Sequence, residues 1–84
     1  MKTVTATVHT RLLNPPEGAV ARFSVRRELQ FADDEHVTVD TVITRLGIVR
    51  GQVGIILIGG RPGRDSETLD DGADIGLYPV FGGG

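Results

Sequence analysis

The spacing of apolar residues changes once along this chain, and that change constrains its fold more than any other feature. From Val4 onward, apolar side chains occupy every second position, as in a strand with one buried face. The alternation returns after residues 14–18 (NPPEG), whose prolines and glycine favour a chain reversal. Between Val39 and Leu46 the spacing becomes three or four residues, which is typical of an amphipathic helix. The sequence therefore predicts a hairpin followed by a helix.

Single residues support this order of elements. Thr38 is suited to cap the start of the helix, Asp40 favours the positive end of the helix dipole, and Gly47 can adopt the left-handed conformation after the last turn. In the second strand, Arg27 interrupts the apolar face at a place where a bulge can form. We expect one helix of two to three turns.

The second half of the chain predicts further strands. Residues 53–58 (VGIILI) are apolar at both parities, which is typical of a strand covered on both faces or at a sheet centre. Residues 59–63 (GGRPG) indicate a hairpin turn, and residues 75–81 indicate a last strand in which Pro79 limits pairing. A short strand can lie between them. We predict an α+β fold: a mixed sheet of four or five strands with one main helix packed across it and a right-handed crossover.

Size and charge limit the kind of protein. The chain has 84 residues, a net charge of -2 and no cysteine, so we expect one domain over residues 1–84 with no zinc–thiolate site. Neither half is strongly basic, which argues against bulk nucleic-acid binding. The longest apolar run is far shorter than the ~20 residues of a membrane-spanning helix, and no secretory signal is visible. A cytoplasmic location is expected.

No residue pattern indicates an enzyme. His9 and His36 lack neighbours at metal-ligand spacing, and both are interpreted as surface residues. Ser24 and Ser66 lack the context of a nucleophile. The turn at residues 59–63 lacks the spacing of a phosphate-binding loop. We therefore expect neither a catalytic site nor a bound metal or cofactor.

An acidic stretch leaves two interpretations open. It is either a docking surface for a basic partner or a solvated edge, and the solvated edge is favoured. Its members are Asp65, Glu67, Asp70, Asp71 and Asp74.

The carboxyl-terminal glycines are the remaining chemical feature. Gly82, Gly83 and Gly84 have no side chains, so this segment could thread a narrow channel and bring an α-carboxylate into a partner's active site. That carboxylate is a poor electrophile until it is converted to an acyl-adenylate or a similar mixed anhydride, and the partner would supply the ATP. A glycine-rich end is also typical of a frayed terminus.

Several motifs, in order, resemble the β-grasp, ubiquitin-like sulfur carriers known as the MoaD/ThiS family. Residues 37–48 (VTVDTVITRLGI) resemble its helical segment ending in Leu-Gly, and residues 58–61 (IGGR) its Val-Asn-Gly-Arg turn. Residues 69–75 (LDDGADI) resemble its Leu-x-Asp-Gly-Asp-x-Val, and residues 78–84 (YPVFGGG) its Phe-Pro-Pro-Val-x-Gly-Gly. The likeness covers most of the chain and implies a β-grasp fold with residues 79–84 as an exposed, flexible glycine tail.

This sequence also departs from the family pattern. Gly59 replaces the asparagine, the proline pair is reduced to Pro79, and Phe81 stands at the usual valine. The first connection, from Leu12 to Ala19, is longer than a tight hairpin yet lacks a helical insertion. The pathway therefore stays open between pterin and thiazole synthesis, and the aromatic–proline ending and the longer connection favour the pterin route.

The resemblance implies a function in which the chain is a co-substrate and not an enzyme. An adenylating enzyme of the ubiquitin-activating type would activate Gly84, and a sulfur donor would convert it to a thiocarboxylate. The sulfur would pass to a molybdopterin or tungstopterin precursor through a synthase large subunit, or to a thiazole synthase. Tyr78, Val80 and Phe81 are the predicted partner anchors. Two alternatives remain: a protein modifier conjugated through Gly84, and a β-grasp binding module without chemistry.

Overall fold

Within the part of the chain that the structure describes, five strands and one α-helix make up the fold. The structure is a computed structural model that describes residues 1–13 and 24–80. The strands are β1 (Lys2–His9), β2 (Ser24–Phe31), β3 (Val53–Ile58), β4 (Arg61–Pro62) and β5 (Ala73–Pro79), and the helix is α1 (Val39–Arg45). Short 3₁₀ turns lie at Thr10–Leu12 and Arg50–Gln52. The predicted reversal at residues 14–18 lies outside the described residues.

The strands form one mixed sheet in the order β2-β1-β5-β3-β4. β1 runs parallel to β5, whereas the pairs β1–β2, β3–β5 and β3–β4 are antiparallel. β2 and β3 are therefore parallel, and the chain between them passes β1 and β5 by way of α1. The predicted α+β architecture, with a mixed sheet and one helix, is confirmed.

The helix begins where the sequence predicts. The Thr38 side chain accepts a hydrogen bond from the Thr41 amide (3.2 Å), and the Thr41 hydroxyl accepts one from the Thr38 amide (3.0 Å). This reciprocal capping box satisfies two amides that the first turn cannot pair internally. Asp40 lies in the first turn, and Gly47 follows the helix with φ of 73°. Local sequence therefore determines both ends of α1.

The core lies between α1 and one face of the sheet. Val39, Val42 and Ile43 of the helix are buried with Val4, Ala6 and Val8 of β1 and with inward-facing residues of the other strands. Full burial of such side chains contributes about 1.5–3 kcal/mol each. The largest fully buried side chains are Phe31, Ile43, Leu69, Ile75, Leu77, Val4, Val8, Val37, Val39 and Val42.

The glycine pair after β3 makes the predicted hairpin turn. Ile58 pairs with Arg61, so the loop consists of Gly59 and Gly60, with φ of 59° and 82°. Two consecutive positive φ values are typical of a type I′ turn, whose twist matches that of antiparallel strands. The glycines therefore serve the backbone geometry of a hairpin.

Two expectations about the strands were wrong. β3 is neither at the sheet centre nor covered on both faces: β5 is the middle strand, and Ile55 is 47% exposed on the face opposite the helix. Apolar residues at both parities do not reveal which face a helix will cover. β1 and β2 pair without a register shift at Arg27, which lies opposite Ala6. The irregularity lies instead in β3, between Val53 and Ile55.

β1 is also shorter than the alternation suggests. It ends at His9, and the chain then turns through Thr10–Leu12, where Leu12 remains buried while Arg11 is exposed. Among the described residues, no helix is long and apolar enough to cross a membrane.

Candidate functional site

The end of β5 is held in place by contacts that we call the tail root, formed by Pro79 and Val80 with Gln52 and Gly54. Pro79 is buried and pairs with Val53, so it belongs to the sheet. The Val80 amide donates to the Gln52 carbonyl (3.3 Å). Pro79, which was expected to begin the exposed tail, therefore belongs to the sheet, and Val80 is the first exposed residue after it.

Gly54 lets the chain at Val80 lie close to β3. A Cβ atom built on Gly54 would lie 2.8 Å from the Val80 Cα atom and 3.0 Å from its amide nitrogen. Distances this short cannot be relieved by rotating a side chain, because both atoms are backbone. The register shift between Val53 and Ile55 occurs at this glycine. The bulge and the missing side chain together set the position of Val80 against β3.

A groove of about 350 Å³ lies beside the tail root. Val80 is 58% exposed at its edge. The Arg11 guanidinium is brought to the groove by the 3₁₀ turn after β1, whose start is capped by the His9 Nδ1 atom accepting from the Arg11 amide (3.1 Å). The groove is lined by Arg11, Leu12, Gly51, Gln52, Pro79 and Val80.

Arg50 connects the turn that carries Gln52 to the rest of the fold. Its Nη1 donates to the Val53 carbonyl (3.0 Å), and its Nε donates to Asp65 Oδ2 (2.9 Å). Both side chains of this ion pair are 43% exposed, so the pair contributes little free energy and mainly orients the turn. Arg50 thus supports the carbonyl of Gln52 that holds Val80.

Tyr78 lies apart from the tail root. It pairs with Ile55 and is half-buried on the face of the sheet opposite the helix. Its ring covers Gly76, where an added Cβ would lie 2.9 Å from the Tyr78 Cε2 atom. A second groove of about 260 Å³ is lined by Thr7, Leu57, Gly59, Gly60, Asp74, Ile75, Gly76 and Tyr78. The structure therefore separates two predicted anchors, Tyr78 and Val80.

The remaining predicted functional residues lie beyond the described part of the chain. They are Phe81, Gly82, Gly83 and Gly84. Their roles stay predictions that the tail root supports by fixing where the chain leaves the sheet.

The acidic stretch is partly structural. Asp65 binds Arg50, and Asp71 Oδ1 accepts from the Thr3 amide (2.7 Å). In addition, Glu67 accepts from the Arg64 amide (3.0 Å). These bonds favour the interpretation of a structured, solvated edge over a docking surface. Within residues 1–13 and 24–80, no three His, Asp or Glu side chains come together to hold a metal ion.

Sequence reasoning missed Arg11, Gln52 and Gly54. Gly54 had a usable signal, since an isolated glycine within a strand indicates a bulge or a close backbone approach. Arg11 lay in the alternating pattern of the first strand and was assigned to its exposed face, but the 3₁₀ turn moves it to the end of the sheet. Gln52 acts through its carbonyl, so its side-chain type carries no signal.

Comparison with known families agrees with this architecture. The sequence model of the Mut7-C ubiquitin family matches residues 2–83, so it covers nearly the whole chain and includes Gly82 and Gly83. The match supports the ubiquitin-like part of the resemblance and does not single out the MoaD/ThiS carriers. No curated protein matches this chain. By its sequence match, and with a fold that agrees, the chain belongs to the Mut7-C ubiquitin family, a group of ubiquitin-like domains.

Proposed function

We propose that this chain is a sulfur carrier whose Gly84 carboxylate is adenylated by a partner enzyme and then converted to a thiocarboxylate. The observation that carries the proposal is the tail root. Val80 is fixed by Gln52 and Gly54, and residues 82–84 beyond it are all glycine. A chain that is positioned up to Val80 and continues into three glycines suits a segment that must enter another protein's active site.

The length of the tail limits where the chemistry takes place. Four extended residues reach at most about 14 Å from their point of attachment. The partner's active site must therefore lie close to the surface that contacts the tail root. The proposal requires that Gly84 carry a free α-carboxylate.

The chemistry needs no nucleophile from this chain. The carboxylate of Gly84 attacks the α-phosphate of ATP in the partner, and pyrophosphate leaves. Hydrosulfide, the sulfide-level sulfur donor, then attacks the carbonyl carbon of the acyl-adenylate, the bond to AMP breaks and AMP leaves, and loss of the sulfur's proton gives the thiocarboxylate. A carrier of this kind needs no cysteine, in agreement with the sequence.

The sulfur acceptor lies in one of two pathways. We propose a molybdopterin or tungstopterin precursor, held by a synthase large subunit, with the thiazole precursor of thiamine as the other candidate. The proposed partners are then the adenylating enzyme and one synthase. This chain acts as a co-substrate, in the cytoplasm, and binds no cofactor of its own.

Intact-mass analysis of protein from its native host tests the proposal. We expect a species heavier by the difference between sulfur and oxygen, and we expect deletion of Gly84 to abolish it. Gly51→Ala is the matched control, because a Cβ there meets no atom within 4 Å and the tail is unchanged. Absence of the heavier species when the cognate activating enzyme is co-expressed would contradict the proposal.

The same samples distinguish the alternatives. High-mass conjugates that resist reductant and require Gly84 would indicate a protein modifier. If the Gly84 deletion leaves the cellular function unchanged, the domain is a binding module and its glycines carry no chemistry.

A further inference from the structure

The outer edge of β2 presents backbone groups that are largely unpaired within the described residues 1–13 and 24–80. Each residue of an antiparallel strand directs its N–H and C=O to the same side of the strand, and consecutive residues alternate between the two sides. Thr3, which pairs with Gln30 of β2, directs its carbonyl away from β2, to the Gly72 amide (2.8 Å). By alternation, the β2 residues that pair with the odd positions of β1 direct their backbone groups outward. They are Ser24, Arg26, Glu28 and Gln30.

Only one of these residues has an outward backbone group that forms a hydrogen bond within residues 1–13 and 24–80. Arg45 Nη1 donates to the Gln30 carbonyl over 3.5 Å. No described group bonds the outward backbone of Ser24, Arg26 or Glu28. A strand edge of eight residues whose ladder positions no described residue occupies is a template for a further strand.

The side chains of β2 are complementary to a second copy of the same strand. Arg26 and Glu28 are exposed on the face opposite the helix, whereas Val25 and Leu29 are half-buried on the helix face. An antiparallel pair with its two-fold axis at Arg27 places Arg26 opposite Glu28 of the second copy, twice. It also places Val25 opposite Leu29 of the second copy on the helix face.

We infer that β2 pairs antiparallel with β2 of a second copy of this chain, in the register centred on Arg27. Other registers are worse. A shift of the axis to position 26 places Arg26 opposite itself, and a shift to position 28 places Glu28 opposite itself, so like charges meet. Axes at positions 25 and 29 pair fewer residues of β2, and an axis between residues places outward backbone groups opposite residues whose backbone groups point inward, so the ladder cannot form.

Association through this edge is weak and reversible. The contact is one strand wide, and the two Arg27 residues face each other on the helix side, which opposes pairing. We expect a dissociation constant on the order of 100 µM. The two-fold axis reverses the direction of β5 in the second copy, so the two tail roots lie at opposite ends of the extended sheet and both remain accessible. The inference does not depend on the proposed function.

Sedimentation velocity over about 10 µM to 1 mM protein tests the inference directly, since that range brackets the expected constant. The unaltered chain shifts from monomer to dimer. Arg26→Glu and Glu28→Arg each raise the dissociation constant at least about tenfold, because each replaces two attractive pairs by repulsive ones. The double variant Arg26→Glu/Glu28→Arg recreates the attractive pairs and restores the dimer. Arg61→Glu, on the edge strand β4, and Asp34→Arg are matched charge controls that leave association unchanged.

Amide exchange measured by NMR over the same concentrations tests the register. Exchange of the Arg26 and Glu28 amides slows as the dimer forms, whereas the Arg61 amide of β4 does not change. A chain that stays monomeric to 1 mM overturns the inference, as do controls that act like the β2 variants. Failure of the double variant to restore association overturns it too. Protection of the Arg26 and Glu28 amides already at the lowest concentration shows that the edge is covered within one chain, which also contradicts the inference.

Discussion

The middle of β5 and the residue that follows the strand differ sharply although only two residues separate them. Leu77 is fully buried between β1 and β3, whereas Val80 is 58% exposed and is held by a backbone hydrogen bond and by its packing on Gly54. The centre of the core and the exposed tail root are therefore close neighbours in the chain. It follows that stability and presentation of the tail can be changed separately, and substitutions along β5 test that separation.

The largest effect is expected at the buried middle of the strand. Leu77→Ala removes a side chain with no exposed surface and leaves a cavity under α1, so we expect a loss of about 2–5 kcal/mol in the free energy of unfolding. Urea denaturation measures it, with Val80→Ser as the control. A loss below about 1 kcal/mol would show that the core closes around the cavity and that β5 is not its centre.

Gly54→Ala acts at the boundary between the two regions. Its Cβ would meet the backbone of Val80 at 2.8 Å, so the tail root must shift, and we expect a destabilisation of about 1–3 kcal/mol. Urea denaturation gives the stability, and NMR chemical shifts of Val80 report the displacement.

Gly51→Ala is the matched control, since it lies next to the same groove with open space around it. If Gly54→Ala and Gly51→Ala change the free energy of unfolding and the Val80 chemical shifts equally, the close approach of Val80 to β3 does not fix the position of the tail root.

A variant of the helix cap tests whether the core can be destabilised without moving the tail root. Thr38→Ala removes the side chain that accepts from the Thr41 amide, so we expect a loss of about 1 kcal/mol. Thr44→Ala, at an exposed position of the same helix, is the control. Thermal unfolding measures both, and the Val80 chemical shifts should stay unchanged. Movement of those shifts in Thr38→Ala would show that the core and the tail root are coupled.

Local signals made most of the fold predictable. The capping box at Thr38, the positive φ at Gly47 and the turn at residues 59–60 each depend on a few neighbouring residues, so sequence spacing alone identifies them. The family match through residue 83 agrees with the motifs that the sequence suggests.

What could not be predicted depends on distant contacts. Ile55 looks like a core residue, but whether the helix covers its face is decided by the register with β5. The family resemblance implied that the exposed tail begins at Pro79, yet Val53 pairs with Pro79 beside a bulge. The groove at the tail root joins Arg11, Gln52 and Val80, which lie far apart in the sequence.

The smallest effect on stability, and the most informative one for function, is expected at the exposed end. Val80→Ser removes apolar surface that the fold leaves in solvent, so the free energy of unfolding should change by less than about 0.5 kcal/mol. If Val80 is a partner anchor, calorimetry should show binding to the activating enzyme weakened by about tenfold, the equivalent of one buried valine.

Phe81→Ala tests the next predicted anchor in the same way, with an expected weakening of about ten- to hundredfold and an unchanged thermal midpoint. A large drop in the midpoint with unchanged affinity would make Phe81 part of the core. Unchanged affinity in both variants would leave the glycines alone to carry the contact with the partner, because the apolar end of β5 would then contribute neither to stability nor to binding.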